Sequence, residues 1–330
     1  MEKSRNNLPK IQEEVVQNVV TVYRLIPLLK AILNGFAKVT VNGVNSKLGE
    51  MNMKKAALHN LGCKVNAYET QAMQELLEGH GYEIVPFGEK ADVYIINTCT
   101  VTNMADRKSR QMLHKARKRN PEAVVVAAGC YVQAQEENLD ADIDIALGNN
   151  RKKDVVAVLE EYEKERHEGR RGIPHGDILD ISRTKEYEDF FLTRTAEHTR
   201  AYIKVQDGCN QFCSYCIIPY TRGRVRSRPW EDVVKEAQAL AREGCKEAVL
   251  TGIHLSSYGY DTGENLLSLI RKVHEIPGIK RIRLGSLEPR IITEDFAAEL
   301  SSLRKVCPHF HLSLQSGCDE TLKRMNRHYT

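Results

Sequence analysis

RAYIKVQDGCNQFCSYC, residues 200–216, decides how the second half of this chain is read. Arg200–Gln206 has the look of a strand, and it runs directly into Asp207, Gly208 and a C-x3-C-x2-C group made of Cys209, Cys213 and Cys216. Three thiolates on one loop can hold three irons of a 4Fe-4S cluster and leave the fourth iron without a protein ligand. The alternative is zinc, which normally takes four ligands in paired C-x2-C groups, and no fourth Cys or His lies close by in the sequence.

Outward from this loop, strands alternate with helices. Downstream, Trp230–Glu243 reads as a helix, Glu247–Thr251 as a strand, Asn265–Glu275 as a helix, Lys280–Ser286 and Phe310–Gln315 as strands, and Cys318–Asn326 as the opening of a helix. Upstream, the strands are Lys54–His59, Ala91–Asn97, Ala123–Ala128 and Ile143–Leu147. Between them lie helices at Asn66–Glu78, Asn103–Arg119, near Val132–Asn138, and at Asp154–His167. Such alternation indicates an α/β fold with parallel sheets. The expected organisation is an unmatched extension at 1–52, an α/β domain at 53–168, a polar, breaker-rich linker at 169–199, and a second α/β domain at 200–330. Four β/α units do not close a barrel, so this second domain is expected to be incomplete.

Composition narrows the function classes. The 330 residues are 42% hydrophobic and 28% charged, which excludes a disordered or fibrous chain. The net charge of +4 is too mild to argue nucleic-acid binding by itself. No apolar run reaches the ~18 residues of a membrane span, and Val15–Leu33 is broken by Arg24, Pro27 and Lys30, so a cytoplasmic protein is expected. Nine cysteines without an export signal favour metal or redox chemistry over disulfides. Cys63, Cys99 and Cys130 each lie just past the C-terminal end of an expected strand, and such ends converge on one crevice in an open parallel sheet. Cys245, Cys307 and Cys318 are read as free thiols.

The run DGCNQFCSYCIIPYTRGRVRSRP (207–229) closely resembles the cluster loop of radical S-adenosylmethionine (SAM) methylthiotransferases. The resemblance extends through LHNLGCKVNAYET (58–70), INTCTVTNMADRKSRQ (96–111), VVVAAGCYVQAQ (124–135), LTGIHLSSYG (250–259), RLGSLEP (283–289) and HLSLQSGCDETLKRMNRHYT (311–330). LGCKVN, NTCTVTNMAD and RGRVRSRP are most similar to the branch that acts on N6-threonylcarbamoyladenosine in tRNA. The resemblance implies an N-terminal methylthiotransferase domain followed by a partial radical-SAM β/α barrel. It implies two 4Fe-4S clusters, one on Cys63, Cys99 and Cys130 and one on Cys209, Cys213 and Cys216. SAM serves there as methyl donor and radical source, and Gly252 and Glu288 lie on the SAM-binding face. No catalytic side chain is assigned beyond the cluster ligands. The implied partners are the tRNA anticodon loop and a reductant such as flavodoxin or ferredoxin. An iron–sulfur electron carrier and an inactive fragment are the other readings of the cysteines.

Two basic stretches remain. Arg107–Arg119 contains seven Lys/Arg and reads as a solvated helix face. Arg222–Arg228 follows the cluster loop, where arginines could contact RNA phosphates or pair with the other domain. At the ends, the resemblance leads to the expectation that the family's C-terminal TRAM domain is absent. Met53 leads straight into the first strand, so residues 1–52 are expected to be leader translated from an over-extended reading frame. The competing expectation is a helical arm with an apolar stripe over Ile11–Leu33.

Overall fold

A computed structural model describes residues 53–135, 138–168, 175–195 and 200–330. Residues 1–52 lie outside them, and with them the expectation for Ile11–Leu33. The valine- and alanine-rich runs form the centre of a six-stranded, all-parallel sheet. Strands β1 (Lys55–Asn60), β3 (Val93–Thr98), β4 (Val124–Gly129) and β5 (Ile145–Leu147) lie side by side, with β2 (Glu83–Ile84) outside β1 and β6 (His175–Asp177) outside β5. The register sets Ala56 opposite Val93, Ile96 opposite Ala127, and Ala127 opposite Ala146. Both faces of β3 and β4 are buried, as a parallel sheet covered by helices requires. Helices α1 (Lys64–Gly79) and α4 (Val155–His167) cover one face through Met73, Leu77, Val155 and Leu159. Helix α2 (Asn103–Arg119) covers the other through Leu113 and Ala116. The short α3 (Cys130–Ala134) begins immediately after β4.

The second half carries a four-stranded sheet. Strand β7 (Ala201–Asp207) pairs in parallel with β9 (Glu247–Gly252), which pairs with β10 (Arg281–Leu284), while β8 (Arg226–Ser227) runs antiparallel beside β7. Between β7 and β8 lies α5 (Ile218–Arg222). Helices α6 (Trp230–Arg242), α7 (Leu266–His274), α8 (Glu294–Ser302) and α9 (Asp319–Arg324) complete the elements. Ile203, Val205, Leu250 and Ile282 form a core with Leu240, Leu269 and Val273. The same core takes in Tyr68 and Ala72 of α1, so Met53–Thr330 forms one compact unit.

Two expectations need correction. The stretch expected as a linker contributes β6 to the first sheet and buries Ile181, Glu188, Phe190 and Leu192. Phe190 and Leu192 are packed into the second core, because an apolar pair gains more by burial than a polar run gains by floating free. Phe310–Gln315 is not a full strand. It meets its neighbour at a single bridge, Leu287 with Leu312, and Phe310, Leu312 and Leu314 stay largely exposed. A strand with only one neighbour satisfies half of its backbone groups, and here the ladder does not propagate.

Candidate active site

The C-terminal ends of β1, β3 and β4 deliver Cys63, Cys99 and Cys130 to one place. Cys99 follows β3 directly, Cys130 follows β4 directly, and Cys63 is the N-cap of α1 just beyond β1. A Cβ on Gly62 would lie 3.0 Å from Cys99 Sγ, so the β1 loop and Cys99 approach closely. Burial raises the Cys99 thiol, and the neighbouring Cys130 and Cys63 raise it further. Cys63 and Cys130 each open a helix, and burial raises the Cys63 thiol while the nearby Arg222 charge opposes the rise.

Cys209 begins the second loop two residues past β7. Gly208 turns the chain at φ +71, and a Cβ there would sit 1.8 Å from the Arg224 carbonyl oxygen. Only glycine allows that approach. Burial pushes Cys209 up to about 11, with Cys216, Cys213 and Glu288 adding to the shift, while a backbone hydrogen bond at Gln211 opposes it. A metal held by these sulfurs would need them as thiolates, so its binding would release protons. All nine cysteines are free. Among the described residues the metal-competent group with ligand atoms all within 4.8 Å is His114, Asp140 and Asp142, and neither cysteine trio is that tight. Cys245, Cys307 and Cys318 stand apart from both trios in sequence, and nothing in the structure gives them a ligand role.

Gly252 ends β9 against Gln206, and a Cβ there would be 2.7 Å from Gln206 Oε1. Glu288 is buried, with Oε2 3.7 Å from His254 Nε2 and Oε1 3.4 Å from Arg327 Nη2. Arg327 Nη1 in turn donates to Cys213 Sγ at 3.2 Å. Burial lowers the His254 pKa despite the nearby Glu288. Glu288 Oε1, His254 Nε2 and Arg327 Nε are buried without hydrogen-bond partners, an arrangement that suits a polar ligand beside the Cys213 loop. The donor set therefore fits both a cluster at each trio and SAM at the second. His254 and Arg327 were not singled out from sequence, although both lie inside family-like runs. Their partners Glu288 and Cys213 are far away in the chain.

The two cysteine centres are tied together by charge. Arg222 on α5 donates to Glu69 Oε1 at 2.7 Å, to Asn66 Oδ1 at 2.5 Å and to Asp207 Oδ2 at 3.2 Å. Asn66 donates to the carbonyls of Leu61 and Thr98, beside Cys63 and Cys99. Asn149 bridges Cys130 Sγ at 3.5 Å and the Thr221 carbonyl at 2.6 Å. Lys204 adds bonds to Glu69 and Asp207, and Lys152 to Glu69. Arg226 bonds the carbonyls of Arg222 and Arg224, and Arg228 pairs with Glu236 and Asp189. Of the arginines expected to meet RNA or the other domain, Arg222, Arg226 and Arg228 are thus fully buried and structural. Arg224 remains exposed, its guanidinium 4.5 Å from the Phe212 ring. Exposed Tyr215 and Tyr220 rim the same loop.

Residues 203–330 match the Radical SAM superfamily, and residues 55–148 match the uncharacterized protein family UPF0004. A solved radical SAM methyltransferase, TsrM from Kitasatospora setae, shares the fold at TM-score 0.56 and 17% identity, over 84% of this chain and 65% of that one. The chain belongs to the radical SAM methylthiotransferase family. It is 43% identical to the threonylcarbamoyladenosine tRNA methylthiotransferase MtaB of Aquifex aeolicus, over 84% of this chain and 66% of the relative. With the protein of the same name from Bacillus subtilis it shares 41%, over 84% and 61%. A tRNA-2-methylthio-N(6)-dimethylallyladenosine synthase of Dictyoglomus thermophilum is 34% identical, over 84% and 63%. The chain therefore spans a little under two thirds of the length of these relatives.

Proposed function

We propose that the protein installs a methylthio group at C2 of the adenine of N6-threonylcarbamoyladenosine, position 37 of tRNA, in the cytoplasm. The observation that carries this reading is the pairing of two three-cysteine centres across one buried ion network. The relatives named for the threonylcarbamoyl substrate support the choice of base over the dimethylallyl alternative. When bound, two 4Fe-4S clusters and SAM would supply the 5′-deoxyadenosyl radical and the methylated sulfur, with electrons from a flavodoxin or ferredoxin.

The chain's own residues do the rest. Cys63, Cys99 and Cys130 would hold one cluster and Cys209, Cys213 and Cys216 the other, each with one position open. Glu288, His254 and Arg327 offer buried polar atoms to SAM at the second centre, and Gly252 keeps the floor of that face open. Arg222 and Asn66 fix the separation of the two centres, so that radical, C–H bond and sulfur donor share one water-poor space. The anticodon loop enters at the rim marked by Tyr215, Tyr220 and Arg224, where aromatic faces can stack unpaired bases. Nucleoside mass spectrometry of tRNA from a strain lacking the gene tests the substrate. The 2-methylthio form of threonylcarbamoyladenosine should vanish; loss of the methylthio-isopentenyl form instead would move the protein to the other branch.

A further inference from the structure

The seven Lys/Arg of α2 divide into two groups. Arg110 pairs with Asp106 at 3.3 Å, Arg117 with Asp144 at 2.5 Å, and Arg119 donates to the Phe87 carbonyl at 3.1 Å. Arg107, Lys108, Lys115 and Lys118 are exposed and have no acidic partner among the described residues. With Gln111 they recur at the three- and four-residue spacing that lines one helix face. Lys115 and Lys118, three residues apart, repel each other mildly, which an anion on the face would relieve. The array runs about 16 Å along the helix at 1.5 Å per residue.

This helix is fastened to the first cysteine centre. Ser109, next to Lys108, bonds both the Cys99 N–H at 3.0 Å and the Cys99 carbonyl at 2.8 Å. At the other side, the His59 pKa is lowered by burial first and by the Lys115 charge second, which sets the stripe beside the end of β1. An anion on the stripe is thereby registered against Cys99. The cations form a line, and the exposed apolar side chains Val101 and Met104 lie only at its Cys99 end. A docked protein would bury a central apolar patch, whereas a line of cations matches a polyphosphate strand.

We propose that the face formed by Arg107, Lys108, Gln111, Lys115 and Lys118 is the track along which the tRNA backbone reaches the crevice at Cys63, Cys99 and Cys130. The contacts are to phosphate and carry no base specificity. This rests on the tRNA reading above.

The test compares the full chain with a K108Q/K115Q/K118Q variant and with a K185Q/K246Q/K280Q control of equal net charge. Fluorescence anisotropy follows an anticodon stem-loop RNA from about 50 to 200 mM salt. Loss of three phosphate contacts should weaken binding roughly tenfold or more near 0.1 M salt and flatten the log–log salt slope by about 2 to 3, with the control near wild type. Thermal unfolding should be the same for all three proteins, since the removed cations have no partners. Equal affinity and slope for stripe and control variants would overturn the track while leaving the tRNA reading intact. A wild type with no salt-dependent RNA binding would overturn both. If the stripe variant bound RNA normally but lost its response to an acidic electron-transfer protein, the face would serve the reductant and the proposal would fail.

Discussion

Arg222 donates to Glu69 and Asn66 on one side and to Asp207 on the other, so one guanidinium joins the helix behind Cys63 to the strand before Cys209. Its charge is entirely buried. Removing one member of a buried ion network strands the others without solvent, at a cost of about 3–5 kcal/mol. Arg222→Met should therefore lower the unfolding free energy by that much, read as a lower denaturant midpoint at unchanged m, and reduce iron loading with it. Arg224→Ala, two residues on and exposed, should stay within about 0.5 kcal/mol of wild type. Equal stability of the two variants would remove the network from the account. The RGRVRSRP motif showed that arginines matter here, but the sequence alone could not say which ones turn inward. That depends on Glu69, Asp207 and Glu236 arriving from three separate elements.

At the scale of elements, α1, β7 and α5 meet on Glu69. Burial alone would raise its pKa, but Arg222, Lys152 and Lys204 together hold it well below the usual carboxylate range. The unfolded chain then binds the proton more readily than the folded one. The stabilisation is present above the ordinary Glu value of about 4.3 and is lost as pH falls below it. Unfolding midpoints measured from pH 6 to pH 3 should drop steeply for the wild type and less steeply for Glu69→Gln; identical slopes would contradict this. The central strands were legible to within about two residues, because parallel strands buried on both faces read as unbroken apolar runs. Helix α8 was missed although Thr293 caps it and Glu294 and Asp295 fill its first turn. Only Phe296 and Leu300 are buried along it, so its apolar periodicity is short. Strand β6 was illegible because backbone pairing to β5, with no side-chain pattern, defines it.

Across the whole molecule, the six cysteines proposed as cluster ligands stand out in the sequence by motif spacing and by strand ends, with Cys63, Cys99 and Cys130 just past β1, β3 and β4 and Cys209, Cys213 and Cys216 on the loop after β7. The roles of His254, Arg327, Asn66 and Asn149 were not readable, since each depends on a partner many tens of residues away. Anaerobic reconstitution should give about eight irons per chain, and Cys63→Ala about four, with the remaining cluster spectrally intact. Saturation of the wild type at about four irons would reduce the protein to one centre. The most direct measurement supplies the reconstituted protein with SAM, dithionite and tRNA bearing threonylcarbamoyladenosine, then assays the small-molecule and nucleoside products together. The account predicts 5′-deoxyadenosine together with the 2-methylthio nucleoside, both lost in Cys213→Ala; intact SAM and unchanged tRNA, with both clusters reduced, would mark an electron carrier and contradict it.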